Sequence, residues 1–441
     1  MAGSRNGKDL LSRIKGKKFT AAIVGLGYVG LPLAMEYADA GIEVIGIDVD
    51  GSKVRALRAG KSYIGDVPAE VVKSAVDAGR FTPTTDYSAV GMADTVNICV
   101  PTPLRKTKDP DLSYIVGAME HLVEYLHKDM LIVLESTTYP GTTKEVLGPM
   151  VEEKGFKVGR DIFLAFSPER VDPGNEKYTT KNIPKVVGGV NAPSTAAAAA
   201  LYGAALEKVI PVSSARVAES AKLLENVFRS VNIALVNELK VIFDRMGIDV
   251  WEVIEAAKTK PFGFMPFYPG PGLGGHCIPL DPFYLSWKAA EHGEWARFIE
   301  LAGEINTRMP AYVVSRVGGA LNEDGKALKG SRVLVLGLAY KANIDDDRES
   351  PSYEIIELLQ HAGARVDYCD PYFPLARPGR KHALEMASVP LDAATFGGYD
   401  AVVVATAHDF FRNPALYRST RLVVDTRNAV PRDAGPRIVK A

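Results

Sequence analysis

The sequence predicts an α/β protein with two Rossmann-like domains, each built on a parallel sheet, joined by a helical domain with a long central helix. Three observations lead there. Short apolar runs alternate with helical stretches through the first half of the chain. Helical spacing then continues without Pro or Gly from Ser213 to Met246, and a second strand-rich region opens at SRVLVLGLAYK. Alternation of strands with helices implies parallel pairing through crossover connections, hence doubly wound sheets.

The first strand is FTAAIVGLG from Phe19, followed by the helix-like LPLAMEYADAG and a second strand, EVIGID. Further strands are expected at TVNICV, MLIVLEST and DIFLAFSP, with a helix over SYIVGAMEHLVEYL. The alanine run at 196–200 reads as an ordinary surface helix capped by Ser194 and Thr195 and closed by Leu201 and Leu206. The Ser213–Met246 helix would be about 50 Å long at 1.5 Å per residue, a length suited to bridging domains or supporting a dimer. More helical sequence runs to about Arg308, and strands return at ARVDYCD, YDAVVVAT and RLVVDT. The expected division is a tail over 1–18, a dinucleotide-binding domain over 19–210, a helical domain over 211–310 and a second Rossmann-like domain over 311–441. The two α/β halves resemble each other in plan.

At 441 residues the chain is too long for one core of ordinary size. With 47% hydrophobic and 24% charged residues, its composition is that of a soluble globular protein. A net charge of -1 argues against a general nucleic-acid binder, which needs a basic face. The basic first eighteen residues hold no apolar stretch long enough for a signal peptide, and no apolar run approaches a membrane span. Cys99, Cys277 and Cys369 lie far apart, without the paired spacing of a zinc site and too few for a disulfide framework. A reducing cytoplasm is the expected compartment, and no metal is expected.

Gly25, Gly27 and Gly30 form GxGxxG straight after a strand and at the start of a helix, so the backbone can approach a pyrophosphate that faces the helix N-terminus. Asp48 ends the next strand where an acidic residue would meet ribose hydroxyls; its charge would repel the extra phosphate of NADP, which favours NAD. The turn Gly337-Leu338-Ala339-Tyr340-Lys341 lacks the full glycine pattern and is not expected to be a second NAD site. There Lys341 can meet a phosphate and Tyr340 can pack against a base or sugar.

In PFYPGPGLGGHCIPLDPFYL, Cys277 follows a glycine-rich loop, with His276 beside it and Asp281 four residues on. A thiol in so polar and irregular a loop suits a nucleophile open to substrate. Cys99, inside a strand, and Cys369, at a strand end, read as structural.

Seven motifs now stand in order: GLGYVGLP at 25–32, VPTP at 100–103, ESTTYPGT at 135–142, SPER at 167–170, KLLEN at 222–226, GGHC at 274–277 and LAYKANIDDDRES at 338–350. In this order the chain resembles the UDP-glucose and UDP-N-acetylhexosamine dehydrogenases over nearly its whole length. The resemblance implies a four-electron oxidation of a UDP-sugar primary alcohol using two NAD, with Cys277 passing through a thiohemiacetal and a thioester before water releases the uronate. It implies that Lys222 exchanges a proton with the alkoxide and stabilises the later oxyanions, that Asn226 one turn on hydrogen-bonds the same oxygen, that Asp281 positions the hydrolytic water with Thr102 as helper, and that Glu169 is the acid/base glutamate. Cofactor contacts carried over are Gly25, Gly27, Tyr28, Val29, Gly30, Asp48, Thr102 and Thr137. Substrate contacts carried over are Glu169, Arg170, Lys222, Asn226, Gly274, His276, Tyr340, Lys341, Arg348 and Arg427. The last two are arginines suited to a bidentate grip on phosphate, although Arg348, among Asp345, Asp346, Asp347 and Glu349, would equally suit surface salt bridging.

GGHCIPLDP, with His276 where the glucose-specific enzymes commonly have serine and Leu280 where they have lysine, resembles the UDP-N-acetylhexosamine form. TKPFGFMPFYPGPG most resembles the UDP-N-acetylglucosamine enzymes, which supply acetamido uronic acids for surface polysaccharides; UDP-N-acetylmannosamine and UDP-glucose are the alternatives. The resemblance also implies a homodimer or higher homo-oligomer. A two-electron β-hydroxyacid dehydrogenase would have no use for Cys277. A non-catalytic NAD sensor would not need the Cys, Lys, Asp and Glu together, and a cysteine hydrolase would leave the cofactor domain unexplained.

Overall fold

The structure, a computed structural model, describes residues 7–105, 109–172, 174–175, 177–275, 278–376, 378 and 382–441. It divides into two compact units, one of residues 1–225 with 283–294, the other of 226–282 with 295–441. Each is an α/β body with its own core.

In the first unit β1 (Thr20–Val24), β2 (Glu43–Ile47), β3 (Phe81–Thr84), β4 (Thr95–Ile98), β5 (Met130–Leu134), β6 (Ile162–Phe166), β7 (Lys185–Gly189) and β8 (Val209–Pro211) form one sheet in the order β3-β2-β1-β4-β5-β6-β7-β8. All neighbours pair in parallel except β6 with β7, which are antiparallel. Strands β1, β4, β5 and β6 are buried on both faces; β5 and β6 read as continuous apolar runs, whereas β4 buries the polar Asn97 among apolar neighbours. Helices cover each face and split the core into two clusters, one around Leu31, Leu33 and Tyr37 and the other around Ile98, Ile115 and Met119.

Two expectations are corrected here. Residues expected to be a tail contain a helix, Gly7–Lys15, whose Leu10 and Ile14 are fully buried against the first core cluster. The alanine-rich helix spans Ala192–Gly203 and is capped by Asn191, whose side chain accepts from Ser194 N. Ser194 is itself buried and accepts from Leu164 N, and Ala197, Ala198, Leu201 and Tyr202 are buried, so this helix packs on the sheet. Alanine is too small to announce a buried face in sequence, yet close helix-on-sheet packing requires it.

In the second unit β9 (Arg332–Leu336), β10 (Arg365–Cys369), β13 (Ala401–Val404), β14 (Leu422–Asp425) and β15 (Arg437–Lys440) form an all-parallel sheet in the order β10-β9-β13-β14-β15, with a small hairpin of β11 (Leu375–Ala376) and β12 (Met386–Ala387). The long helix is Ala215–Arg245, within two residues of the expected span at its start and one at its end. A second long helix, Arg297–Glu323, carries Pro310 in its interior, so the domain boundary expected between 310 and 311 falls inside a continuous helix. Burial of Met309, Pro310, Val313 and Val317 offsets the hydrogen bond that proline forfeits. Among the described residues, no helix is long and apolar enough to cross a membrane.

Candidate functional site

At the C-terminal end of β1, the three glycines have distinct reasons to be glycine. Gly25 has φ +93°, and a Cβ there would lie 2.6 Å from the Cys99 carbonyl oxygen; a Cβ on Gly30 would lie 1.9 Å from the Gly25 carbonyl oxygen. Both are required by the tight strand-to-helix turn. Gly27 is different, since a Cβ there would meet nothing within 4 Å. Its missing side chain leaves open room at the N-terminal end of the helix Gly30–Asp39, which is where a pyrophosphate fits. Asp48 is buried, accepts from Leu26 N at 3.0 Å and Asp50 N at 2.9 Å, and has Lys53 Nζ at 3.4 Å. The donor set fits a dinucleotide: open glycine backbone, a helix start and an acidic residue at the second strand. Tyr28 is exposed and Val29 half-buried beside this turn.

The loops after β4 and β5 face the same end of the sheet. Thr102 is buried, and its carbonyl accepts from the Tyr284 hydroxyl; Tyr284 packs with Tyr139 and Leu223. The ESTTYPGT loop is fixed by the fully buried carboxylate of Glu219 on the long helix, which accepts from Gly141 N, Thr143 N and the Thr143 hydroxyl. Burial pushes the Glu219 pKa up despite these donors. Thr137 is half-buried between the two anchored ends.

Lys222, one turn beyond Glu219 on the same helix, is only 6% exposed, and its Nζ donates to the Glu169 carbonyl at 2.7 Å. The solvated lysine that a long helix usually carries is thereby ruled out. The Glu169 carboxylate accepts from Arg170 N and Val171 N, both at 2.7 Å, and from Lys185 Nζ at 3.2 Å. Although burial raises its pKa, the Lys185 charge and these backbone donors hold it below the ordinary glutamate value. Arg170 is taken up by the Pro184 carbonyl and Glu225, each at 2.7 Å.

In the second unit, Asn226 is fully buried and donates through Nδ2 to Asp281, which is 1% exposed; Arg229 in turn donates to the Asn226 side-chain oxygen, Oδ1. His276 and Cys277 lie outside the described residues. The glycine-rich loop 270–275 leads to them. Gly270 N donates to Asn237, which bonds Asn306 across to the second long helix, so paired amides on the two helices hold the loop. A Cβ on Gly274 would lie 2.4 Å from Tyr340 Cβ, and Gly275 has φ +81° and donates to the Arg348 carbonyl at 2.8 Å. This loop is thus laid directly on the β9 turn region.

At that turn Lys341 is half-buried, while the Arg348 guanidinium forms a bidentate pair with Asp346, the bridging that its acidic surroundings suggested. Arg427 donates through Nε to the Ala405 carbonyl, its Nη1 lies 2.4 Å from where a Cβ of Gly270 would be, and burial lowers its pKa to about 10. The β9 turn repeats the β1 construction: Gly337 N bonds the end of β10 as Gly25 N bonds the end of β2, and Asp370 accepts from Leu338 N as Asp48 does from Leu26 N. Asp370 also takes Ala339 N, Tyr372 N and the His408 ring, leaving it committed. Burial drives the Cys369 thiol up to about 12 and raises that of Cys99 well above the usual range, so neither suits a nucleophile.

Lys185, Glu135, Glu219 and Arg229 escaped the sequence reading. Lys185 and Glu135 meet 50 residues apart and Glu219 reaches Gly141 78 residues away, while Arg229 lies on an unremarkable helix turn. Only the glutamate of ESTTYPGT and the charged start of KVVGG could have signalled them.

The NAD binding domain of the UDP-glucose/GDP-mannose dehydrogenase family matches residues 19–206, its central domain 216–308 and its UDP binding domain 334–432. The chain is 37% identical to UDP-N-acetyl-D-glucosamine 6-dehydrogenase of Pseudomonas aeruginosa, covering 90% of this chain and 92% of that one. It is 35% identical to UDP-N-acetyl-D-mannosamine dehydrogenase of Methanococcus maripaludis, covering 92% of each. The solved structure of UDP-D-ManNAc dehydrogenase from Pyrococcus horikoshii superposes with a TM-score of 0.87 at 31% identity, covering 96% of this chain and 98% of that one.

Proposed function

The chain belongs to the UDP-glucose/GDP-mannose dehydrogenase family, and from that premise we propose that it oxidises the C6 primary alcohol of UDP-N-acetylglucosamine to the carboxylate through a thioester on Cys277. The observation that carries this reading is Lys222, withdrawn from solvent in mid-helix with its ammonium held at the Glu169 carbonyl. A cation buried and oriented in this way suits the stabilisation of negative charge that develops beside it.

The open turn at Gly27 and the Asp48 carboxylate would hold NAD, which would supply the hydride acceptor for each of the two oxidations. The Lys222 ammonium holds the alcohol oxygen while the ionised Glu169 carboxylate takes its proton as the first hydride leaves and passes it on to solvent. Cys277, its thiol proton passing to solvent, then adds as the thiolate to the aldehyde carbon, the resulting alkoxide is held by the Lys222 ammonium, and loss of the second hydride from that alkoxide leaves the acyl group on sulfur. Water activated by the buried Asp281, which takes its proton, attacks the acyl carbon and the thiolate leaves, with Thr102 as helper. Asn226, tethered to Asp281, presents its amide along the same helix face as Lys222 one turn earlier. Lys341, Arg348 and Arg427 supply the cations for the pyrophosphate, with Tyr340 and Gly274 shaping its bed, and Arg170 braces the Glu169 loop.

The acetamido sugar is supported by the GGHCIPLDP form and by the Pseudomonas relative; the Methanococcus relative favours UDP-N-acetylmannosamine as the second reading. A homodimer is supported by the stripe of exposed Leu224, Phe228, Leu235 and Ile242 at intervals of four and seven on the long helix. A cytoplasmic setting is supported by the free thiols of Cys99 and Cys369.

The test mixes purified protein with NAD and, separately, UDP-N-acetylglucosamine, UDP-N-acetylmannosamine and UDP-glucose, counting NADH per sugar consumed for wild type and Cys277→Ala. Two NADH per sugar with UDP-N-acetylglucosamine preferred, and no uronate from the alanine variant, is the expected result. One NADH per sugar, indifferent to the thiol, would overturn the thioester.

A further inference from the structure

The first unit encloses an ionic cluster that the reaction above does not explain. Lys185, the first residue of β7, is 1% exposed, and its Nζ bridges the Glu135 carboxylate at 2.7 Å and the Glu169 carboxylate at 3.2 Å. Glu135, at the end of β5, is 0% exposed and fixed from its other side by the Tyr202 hydroxyl at 2.6 Å and the Asn97 amide at 2.8 Å. Glu169 alone of the three reaches solvent, at 15%. The cluster therefore runs from a rigid, sealed sheet interior to a single outward carboxylate.

We propose that Lys185 is a positioning residue for Glu169, which it ties to the Glu135–Tyr202–Asn97 anchor and keeps ionised, so that Glu169 serves the reaction as a proton and hydrogen-bond acceptor and not as an acid.

Three features carry this. A buried ion group lacking partners is expensive, so a lysine sealed between two carboxylates has a fixed place and a fixed charge. Among the described residues each donor to the Glu169 carboxylate is an N–H: one carboxylate oxygen takes two backbone amides and the other takes the ammonium, and all three favour the anion over the acid. Charge also balances only in this state. Lys185 and Lys222 supply two positive charges, Glu135 and Glu169 two negative, whereas a protonated Glu169 would leave the buried group with a net positive charge beside the Lys222 ammonium. Burial alone would strip the proton from Lys185, but its two carboxylates raise its pKa, so the bridge persists across the physiological range.

The inference rests on the reading that Glu169 meets the substrate, but its test does not need turnover. Isotope-edited infrared titration of the resting protein, with the Glu169 band assigned by subtracting Glu169→Gln, follows that carboxylate directly. The expected result is protonation below the ordinary glutamate range in wild type, an upward shift of about one pH unit or more in Lys185→Met, and near-complete recovery in Lys185→Arg. Glu135→Gln should move it the other way, because Lys185 then has one carboxylate instead of two. In the variants that turn over, the acid limb of the kcat profile should follow the same shifts. A Lys185→Met protein that keeps its thermal transition and NAD affinity with an unmoved Glu169 titration would overturn the proposal. Where Lys185→Met does not fold, Glu135→Gln decides, and no shift or an upward one overturns it. Failure of wild type to oxidise any of the sugars would count against the reaction and leave the infrared result standing.

Discussion

Asn226 donates its amide to the carboxylate of Asp281, joining the long helix to the first residue of the helix Asp281–Glu291, four positions beyond Cys277. The bond fixes one carboxylate oxygen and aims the group.

If that carboxylate activates the hydrolytic water, Asp281→Asn should spare both oxidations and slow release of the product by roughly 100-fold or more, the usual span for losing a general base. Pre-steady-state fluorescence should show two NADH per site and then a stall, with intact mass spectrometry finding the sugar on the protein. A variant that never forms the first NADH would mean that Asp281 acts earlier.

The differing surroundings of Gly27 and Gly30 predict opposite phenotypes. Gly27→Ala fills open room at the cofactor seat, so NAD affinity should fall about tenfold or more while the thermal midpoint stays put. Gly30→Ala drives a methyl into the Gly25 carbonyl and should lower the midpoint by several degrees, in keeping with about 1–3 kcal/mol for overpacking. Calorimetric titration with NAD and differential scanning calorimetry separate the two.

Asp370 predicts an acid limit for the second unit. Burial opposes its ionisation, but the His408 bond and the Ala339 and Tyr372 amides outweigh burial and set its pKa below the ordinary aspartate value. A depressed carboxylate contributes stability that is complete above its unfolded-state pKa and lost as pH falls through the folded one. The thermal midpoint of wild type should thus fall below about pH 4. Asp370→Asn should begin lower at neutral pH and show a shallower decline, whereas parallel curves would remove Asp370 from the account.

The apolar stripe on the long helix predicts that Leu235→Glu shifts sedimentation toward the monomer. An unchanged sedimentation coefficient would move the interface elsewhere.

Much of this was legible in the sequence because its signals are local. The turn after β1 announces itself through glycines within six positions, β5 and β6 through unbroken apolar runs, and the long helix through the want of breakers over 213–246. What stayed hidden depends on contacts distant in sequence. β3 carries a proline and alternates buried with exposed residues, and β15 is half-buried throughout, so neither has an apolar run. β7 is five fully buried residues but begins with a lysine and ends in two glycines, and nothing local tells that Lys185 is sealed by glutamates from two other strands' ends. Pro310 looks like a helix end until the packing around it is seen. The tail was misjudged because two apolar residues, Leu10 and Ile14, suffice to dock a single helical turn pair among many charges.

The β1 and β9 turns share one pattern of strand-end hydrogen bonds, but at β9 the oxygens of Asp370 are spent on Leu338, Ala339, Tyr372 and His408. A carboxylate so committed offers a ribose nothing. Binding stoichiometry follows from it: adenosine-bearing ligands should saturate at one per chain, and a cofactor mimic built to grip an acidic side chain through vicinal hydroxyls would recognise one half of this internally echoed molecule and pass over the other.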